Sequence, residues 1–292
     1  MAGEEARNNK KRRLENPPPC GILAEMNAPR SHSIGIFDSG VGGLTVVREV
    51  ARLLPLENIT YLGDTARLPY GTKSRKTVVK YSRKNAGFLV SKNVKFIIAA
   101  CNTASAYSME ALSNELPVPA LGVIEPGAKK AASVTKNGRI GVIATPSTVR
   151  SETYLRAIRS ENPSLDVVSL PCPLFVPLVE EGMCEGEITI SIARNYLEPL
   201  YKQDIDTLIL GCTHYSLLKN TVSAVMGEKV TLVDSAEETA RAAMAVLKQN
   251  DLLKNDGKGS VEFYLTDGSE SFTQTAGRFL GKEPPSVDVV DI

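Results

Sequence analysis

The sequence predicts an α/β fold of two similar domains, each built on a parallel sheet, and three observations point to it. Short apolar runs that end at Gly, Ser, Thr or Asp are each followed by an amphipathic stretch, which is the alternation of βα units. A faint internal repeat sets Ser33-Ile34-Gly35-Ile36 against Arg139-Ile140-Gly141-Val142, and Ile98-Ala99-Ala100-Cys101-Asn102-Thr103 against Ile209-Leu210-Gly211-Cys212-Thr213-His214, roughly 110 positions apart each time. A chain of 292 residues is long enough for two domains of ordinary size.

Taken in order, residues 1–33 contain Lys10-Lys11-Arg12-Arg13 and Pro17-Pro18-Pro19 without an apolar period, and read as a flexible extension. Strands are expected over 34–37, 59–62, 96–99, 140–144, 166–170, 207–210, 230–233 and 262–265. Helices are expected over 44–54, 76–93, 147–159, 187–201 and 236–249. The repeat divides the chain into a first domain of residues 34–130 plus 238–292 and a second of residues 131–237. The last helix and strand follow the second unit and need an edge of the first sheet to join.

Composition narrows the class of function. Hydrophobic residues make up 42% and charged residues 23%, the balance of a globular protein. The net charge of +1 provides no global field for nucleic acid. No run of eighteen apolar residues occurs and no apolar signal core opens the chain, so a cytoplasmic protein without membrane contact is expected. Five Cys, at 20, 101, 172, 184 and 212, are too sparse for a disulfide framework and are expected as thiols. With only two His, and His32 in the extension, imidazole chemistry falls to His214.

Cys101 and Cys212 each follow an apolar strand, and so belong at the carboxyl ends of parallel strands, where open α/β sheets bind their ligands. A thiol near a helix start can gain thiolate character from backbone donors. Two such thiols in repeated units can flank one ligand, whereas either alone reads as a small buried hydrophobe. No Cys-x-x-Cys pair supports zinc. Asp38-Ser39-Gly40-Val41-Gly42-Gly43 follows a strand and opens a helix, so it reads as a ligand loop that lacks the dinucleotide and ATP signatures. Asp38 in it is either a helix-start cap or a partner for a substrate ammonium. The loop Gly63 to Gly71 follows another strand, and its Pro, Tyr and Gly shape a partly polar surface.

Together with Cys172 to Glu181 and Gly211-Cys212-Thr213-His214-Tyr215, these segments resemble the glutamate racemase family, within the aspartate/glutamate racemases, from about Ile34 to the C-terminus. The resemblance implies two Rossmann-like (flavodoxin-like) domains and a cofactor-independent isomerase that interconverts L- and D-glutamate for bacterial peptidoglycan. Its site holds no metal, and a homodimer is usual. It implies that Cys212 deprotonates the L-enantiomer and Cys101 the D-enantiomer. Asp38 assists Cys101 and meets the ammonium, while His214 and Glu180 support Cys212. Ser39, Tyr70, Gly71, Asn102, Thr103, Thr213 and His214 hold the amino acid, and Thr145 and Thr148 take its distal carboxylate. Ser216 replaces the family's usual Pro without removing a reactive group. A sister racemase acting on aspartate or a hydantoin keeps the two-Cys plan, and a non-catalytic amino-acid binder keeps the loops. The aspartate branch commonly has Glu where this chain has His214.

Overall fold

The computed structural model describes residues 28–268, 271–282, 284 and 286–292. The Lys10–Arg13 run and Cys20 lie outside them. A six-stranded parallel sheet has the order β10-β9-β2-β1-β3-β4. Its strands are β1 (Ile34–Asp38), β2 (Ile59–Gly63), β3 (Phe96–Ala99), β4 (Ala120–Gly122), β9 (Val261–Leu265) and β10 (Asp288–Val289). A four-stranded parallel sheet has the order β6-β5-β7-β8, with β5 (Arg139–Ala144), β6 (Asp166–Pro171), β7 (Thr207–Gly211) and β8 (Thr231–Asp234). β1, β2, β3 and β7 are buried along their whole length, which is why they read as unbroken apolar runs.

Register fixes where the strands end. Asp38 pairs with Gly63 and Phe37 with Ala99 in the first sheet, and Ala144 pairs with Gly211 in the second. The loops carrying Asp38, Asp64, Cys101, Thr145 and Cys212 therefore leave their sheets at the carboxyl edges, as parallel topology requires.

Helices follow these strands. α1 (Leu44–Leu53), α2 (Arg75–Ser91) and α3 (Asn102–Glu115) belong to the first half, and α4 (Ile124–Val134) leads into the second. α5 (Pro146–Ser151) and α6 (Thr153–Glu161) replace the single helix expected over 147–159, because Glu152 takes a left-handed φ of 54° and ends one helix while starting the next. α7 (Phe175–Glu180), α8 (Glu187–Lys202) and α9 (Lys219–Met226) follow. α10 (Ser235–Gln249), capped by Asp234 accepting from the Ala236 N–H at 3.0 Å, returns to pack on α1. β9 then joins the edge of the first sheet beside β2, and α11 (Ser271–Leu280) lies against α1.

Residues 28–33, read with the extension, are docked to the first sheet instead. Lys95 Nζ donates to the Arg30 carbonyl at 2.6 Å and to Glu57 Oε2 at 2.5 Å, and both of these ionic side chains are almost fully buried. Glu57 Oε1 also accepts from the Lys254 N–H at 2.8 Å. Every polar atom of this pair needs a partner once water is removed, and the neighbouring backbones supply them, which holds four distant segments together.

Candidate active site

Asp38 ends β1 fully buried. Its Oδ2 accepts from the Gly40 N–H at 2.9 Å, and its Oδ1 is buried without a partner. Burial pushes its carboxyl up, against the pull of His214 and of the backbone N–H groups of Gly40, Gly43 and Ser39. The loop after it fits only because it lacks side chains: a Cβ on Gly42 would lie 2.1 Å from Thr213 Oγ1 and 2.7 Å from His214 Nδ1, and one on Gly43 would lie 2.5 Å from Asp38 Cβ and 3.1 Å from Ala100 Cβ. One loop of the first half thus touches the segment before Cys101 and the segment after Cys212. Tyr61 pins it by donating from its hydroxyl to the Gly40 carbonyl at 2.7 Å.

Cys101 precedes α3 and is buried. Burial and the neighbouring Asp38 push its thiol up to about 12, although the Ala104 N–H and the Ser39 side chain favour the thiolate. Negative charge on Cys212 adds to the upward push. The sequence expectation of helix-start acidification is therefore corrected for Cys101: the favourable donors exist, but exclusion from water outweighs them.

The second thiol has different company. Cys212 Sγ lies 3.9 Å from His214 Nδ1, and His214 Nε2 lies 3.1 Å from Glu180 Oε1. Burial disfavours a charged imidazole here, yet hydrogen bonds to Cys212 and Glu180, with the fields of Cys212 and Asp38, push His214 up to about 10. α7 delivers Glu180, and Phe279 packs edge-on against the imidazole with ring centroids 5.3 Å apart. Cys172 is buried in the apolar core, where burial pushes its thiol up to about 12.

The hydroxyls of Thr103, Thr145 and Thr148 form a triangle with 3.0 Å sides, one from the first half and two from the second. Gly71 abuts it, since a Cβ there would lie 2.6 Å from Thr145 Cβ. Thr213 is buried beside His214, its Oγ1 3.5 Å from Nδ1. Asn102 is buried, with Nδ2 unpartnered. Tyr70 is fully buried and its hydroxyl is committed inward, donating to Asp64 Oδ2 at 2.5 Å and accepting from Asn85 Nδ2 at 3.2 Å. Any contact it makes with a ligand is through its backbone.

Sequence reasoning missed Asp64, Tyr61 and Asn85 as the groups that hold these loops. Asp64 lay within a loop already singled out; the other two give no signal apart from their place in space. Among the described residues, no three His, Cys, Asp or Glu side chains gather as a metal site.

These features define a two-sheet α/β protein that carries one thiol at the mouth of each sheet, linked by a shared glycine loop. The chain belongs to the Asp/Glu/Hydantoin racemase family, whose model matches residues 41–243; racemases are isomerases. It is 51% identical over 250 residues to a glutamate racemase of Geobacter metallireducens, covering 85% of this chain and 93% of that one. The crystal structure of a glutamate racemase isoform from Bacillus anthracis superposes with a TM-score of 0.87 at 41% identity, covering 90% of this chain and 98% of that one. A glutamate racemase of Francisella tularensis, solved in complex with D-glutamate, gives 0.85 at 38% identity over the same shares.

Proposed function

We propose that this chain interconverts L- and D-glutamate by moving protons between carbon and two cysteines. The observation that supports the reading is the loop after Asp38, whose Gly43 touches Ala100 before Cys101 and whose Gly42 touches Thr213 and His214 after Cys212. A single base would have to release its proton to the opposite face, whereas two bases take it on one side and give it on the other.

In this reading, Cys212 takes the α-proton of L-glutamate. A His214 cation 3.9 Å away stabilises the negative charge that Cys212 needs in order to act. Cys101, held as a thiol, then gives its proton to the other face, which forms D-glutamate and leaves Cys101 as thiolate and Cys212 as thiol. Exchange with solvent, or the reverse reaction, restores the start. The free Oδ1 of Asp38 receives the substrate ammonium and assists Cys101. Ser39, Asn102, Thr213 and His214 hold the amino acid, as does the backbone of Tyr70 and Gly71, the latter beside Thr145. A distal carboxylate opens the Thr103, Thr145 and Thr148 triangle and accepts hydrogen bonds from these hydroxyls. Its contacts with both halves draw the cleft closed and strengthen every charge interaction inside it.

Residues 34–130 with 238–292 act as one domain and 131–237 as the other, without metal or organic cofactor. The chain works as a homodimer in the cytoplasm and supplies D-glutamate for peptidoglycan, as the family resemblance implies. Among the described residues no helix is long and apolar enough to cross a membrane.

The test incubates the purified protein with L-glutamate or L-aspartate, with and without a chelator, and separates the enantiomers. The expected result is D-glutamate formed at least about 100-fold faster than D-aspartate, the scale of a missed carboxylate contact, and unaffected by chelator or added pyridoxal phosphate. Preference for aspartate, or turnover that follows a cofactor, would overturn the reading.

A further inference from the structure

Tyr154 lies on α6 in the second half, yet its hydroxyl donates to Asn102 Oδ1, on α3 of the first half, at 2.7 Å. The side chain is almost fully buried. Its ring lies against the backbone before the second thiol, since a Cβ on Gly211 would approach Tyr154 Cε2 to 3.1 Å. Its phenol oxygen also lies beside Gly127, where a Cβ would come within 3.7 Å of it.

This arrangement determines which way round the Asn102 amide sits. With Oδ1 taken by the phenol, Nδ2 must point elsewhere, and it is buried without a partner. A buried amide donor left open in a native site is costly unless an acceptor arrives. We propose that Tyr154 is a positioning residue that locks the Asn102 amide so that Nδ2 is presented to the substrate carboxylate, and that it ties the Cys101 segment to the backbone preceding Cys212. The inference rests on the proposed function for the identity of the acceptor. It assigns no chemistry to Tyr154 itself.

Tyr154→Phe keeps the ring against Gly211 and removes only the hydroxyl. KM for both enantiomers of glutamate is expected to rise about tenfold, the effect of one misdirected buried hydrogen bond, with kcat within about threefold of wild type. In the Asn102→Ala background the same change should have no further effect on KM, because the amide it orients is gone. A merely structural role predicts multiplying effects or an unchanged KM, and either result overturns the proposal. Asparagine-selective 15N spectra supply a readout that needs no turnover. The Asn102 side-chain amide resonances, recognised by their loss in Asn102→Asp, should shift in Tyr154→Phe. If they do not move, the proposal fails whatever the substrate is. If they move while the wild-type protein leaves glutamate unchanged, the positioning role stands and the substrate assignment falls.

Discussion

At the scale of single residues, the two thiols differ in what surrounds them. Cys101 sits under Asp38 in a water-excluded pocket that keeps it protonated, with its pKa pushed up to about 12. Cys212 sits beside His214, whose cation is held by Glu180. This asymmetry makes Glu180→Gln informative. Against the cost of burial, hydrogen bonds to Cys212 first and Glu180 second push His214 up to about 10 from an ordinary value of 6.5, so the charged imidazole stabilises the folded state fully below pH 6.5 and that contribution, Glu180's share included, is lost as pH rises through 10. Glu180 is about a third exposed (34%), so water screens the pair and Glu180→Gln should cost about 1 kcal/mol near neutral pH. Urea titrations of the two proteins should differ at pH 6 and converge by pH 11, and a gap that widens with pH would refute the assignment. Conversion of L-glutamate should fall about tenfold or more in the same variant, because the charge beside the acting base is weakened.

At the scale of elements, the loop between β1 and α1 carries the geometry. Gly42→Ala places a methyl 2.1 Å from Thr213 Oγ1 and 2.7 Å from His214 Nδ1, so the two halves of the site must move apart. Displacement of about 1 Å in a catalytic array costs roughly 100-fold in rate, and overpacking costs about 1–3 kcal/mol in stability. Gly87, on α2, has open space where a Cβ would go, and Gly87→Ala should raise stability by about 0.4–1 kcal/mol with activity unchanged. Steady-state kinetics and thermal melts of the two variants separate the close approach from a general glycine effect; equal behaviour of both would contradict it.

Elements were legible in the sequence to the extent that burial was continuous. The strands buried on both faces, such as β1, β3 and β7, read as apolar runs ending at small residues. β4, with only three half-buried residues, and the two residues of β10 give no such run. Helices α3 and α4 went unread because buried Asn102, Thr103, Ser105 and Ser108 break the apolar stripe of α3, and α4 buries mainly Gly and Ala with a single Ile. The split at Glu152 depends on one left-handed residue that composition does not mark. The site residues were legible where a motif carried them. Tyr154 and Tyr61 act through partners 52 and 21 positions away, a relation that only the fold creates.

At the scale of the whole molecule, two sheets present their carboxyl edges to common ground, and the loops that meet there come from both. Thr103 meets Thr145 and Thr148, Gly71 meets Thr145, and Gly42 meets Thr213 and His214. α10 and β9 carry the chain back to the first sheet, so that the second half is an insertion held at both ends. An arrangement of this kind brings one reacting centre between groups of opposite origin, which is what inversion at carbon by two separate bases demands.

The most direct test of that claim is the fate of solvent deuterium. With L-glutamate in D2O and conversion stopped early, the account predicts D-glutamate that carries deuterium at the α-carbon while the remaining L-glutamate keeps its hydrogen, because the proton leaves to one sulfur and arrives from the other. Deuterium appearing in the L-pool as fast as in the product, or product that retains the original hydrogen, would mean that a single base serves both faces and would contradict it.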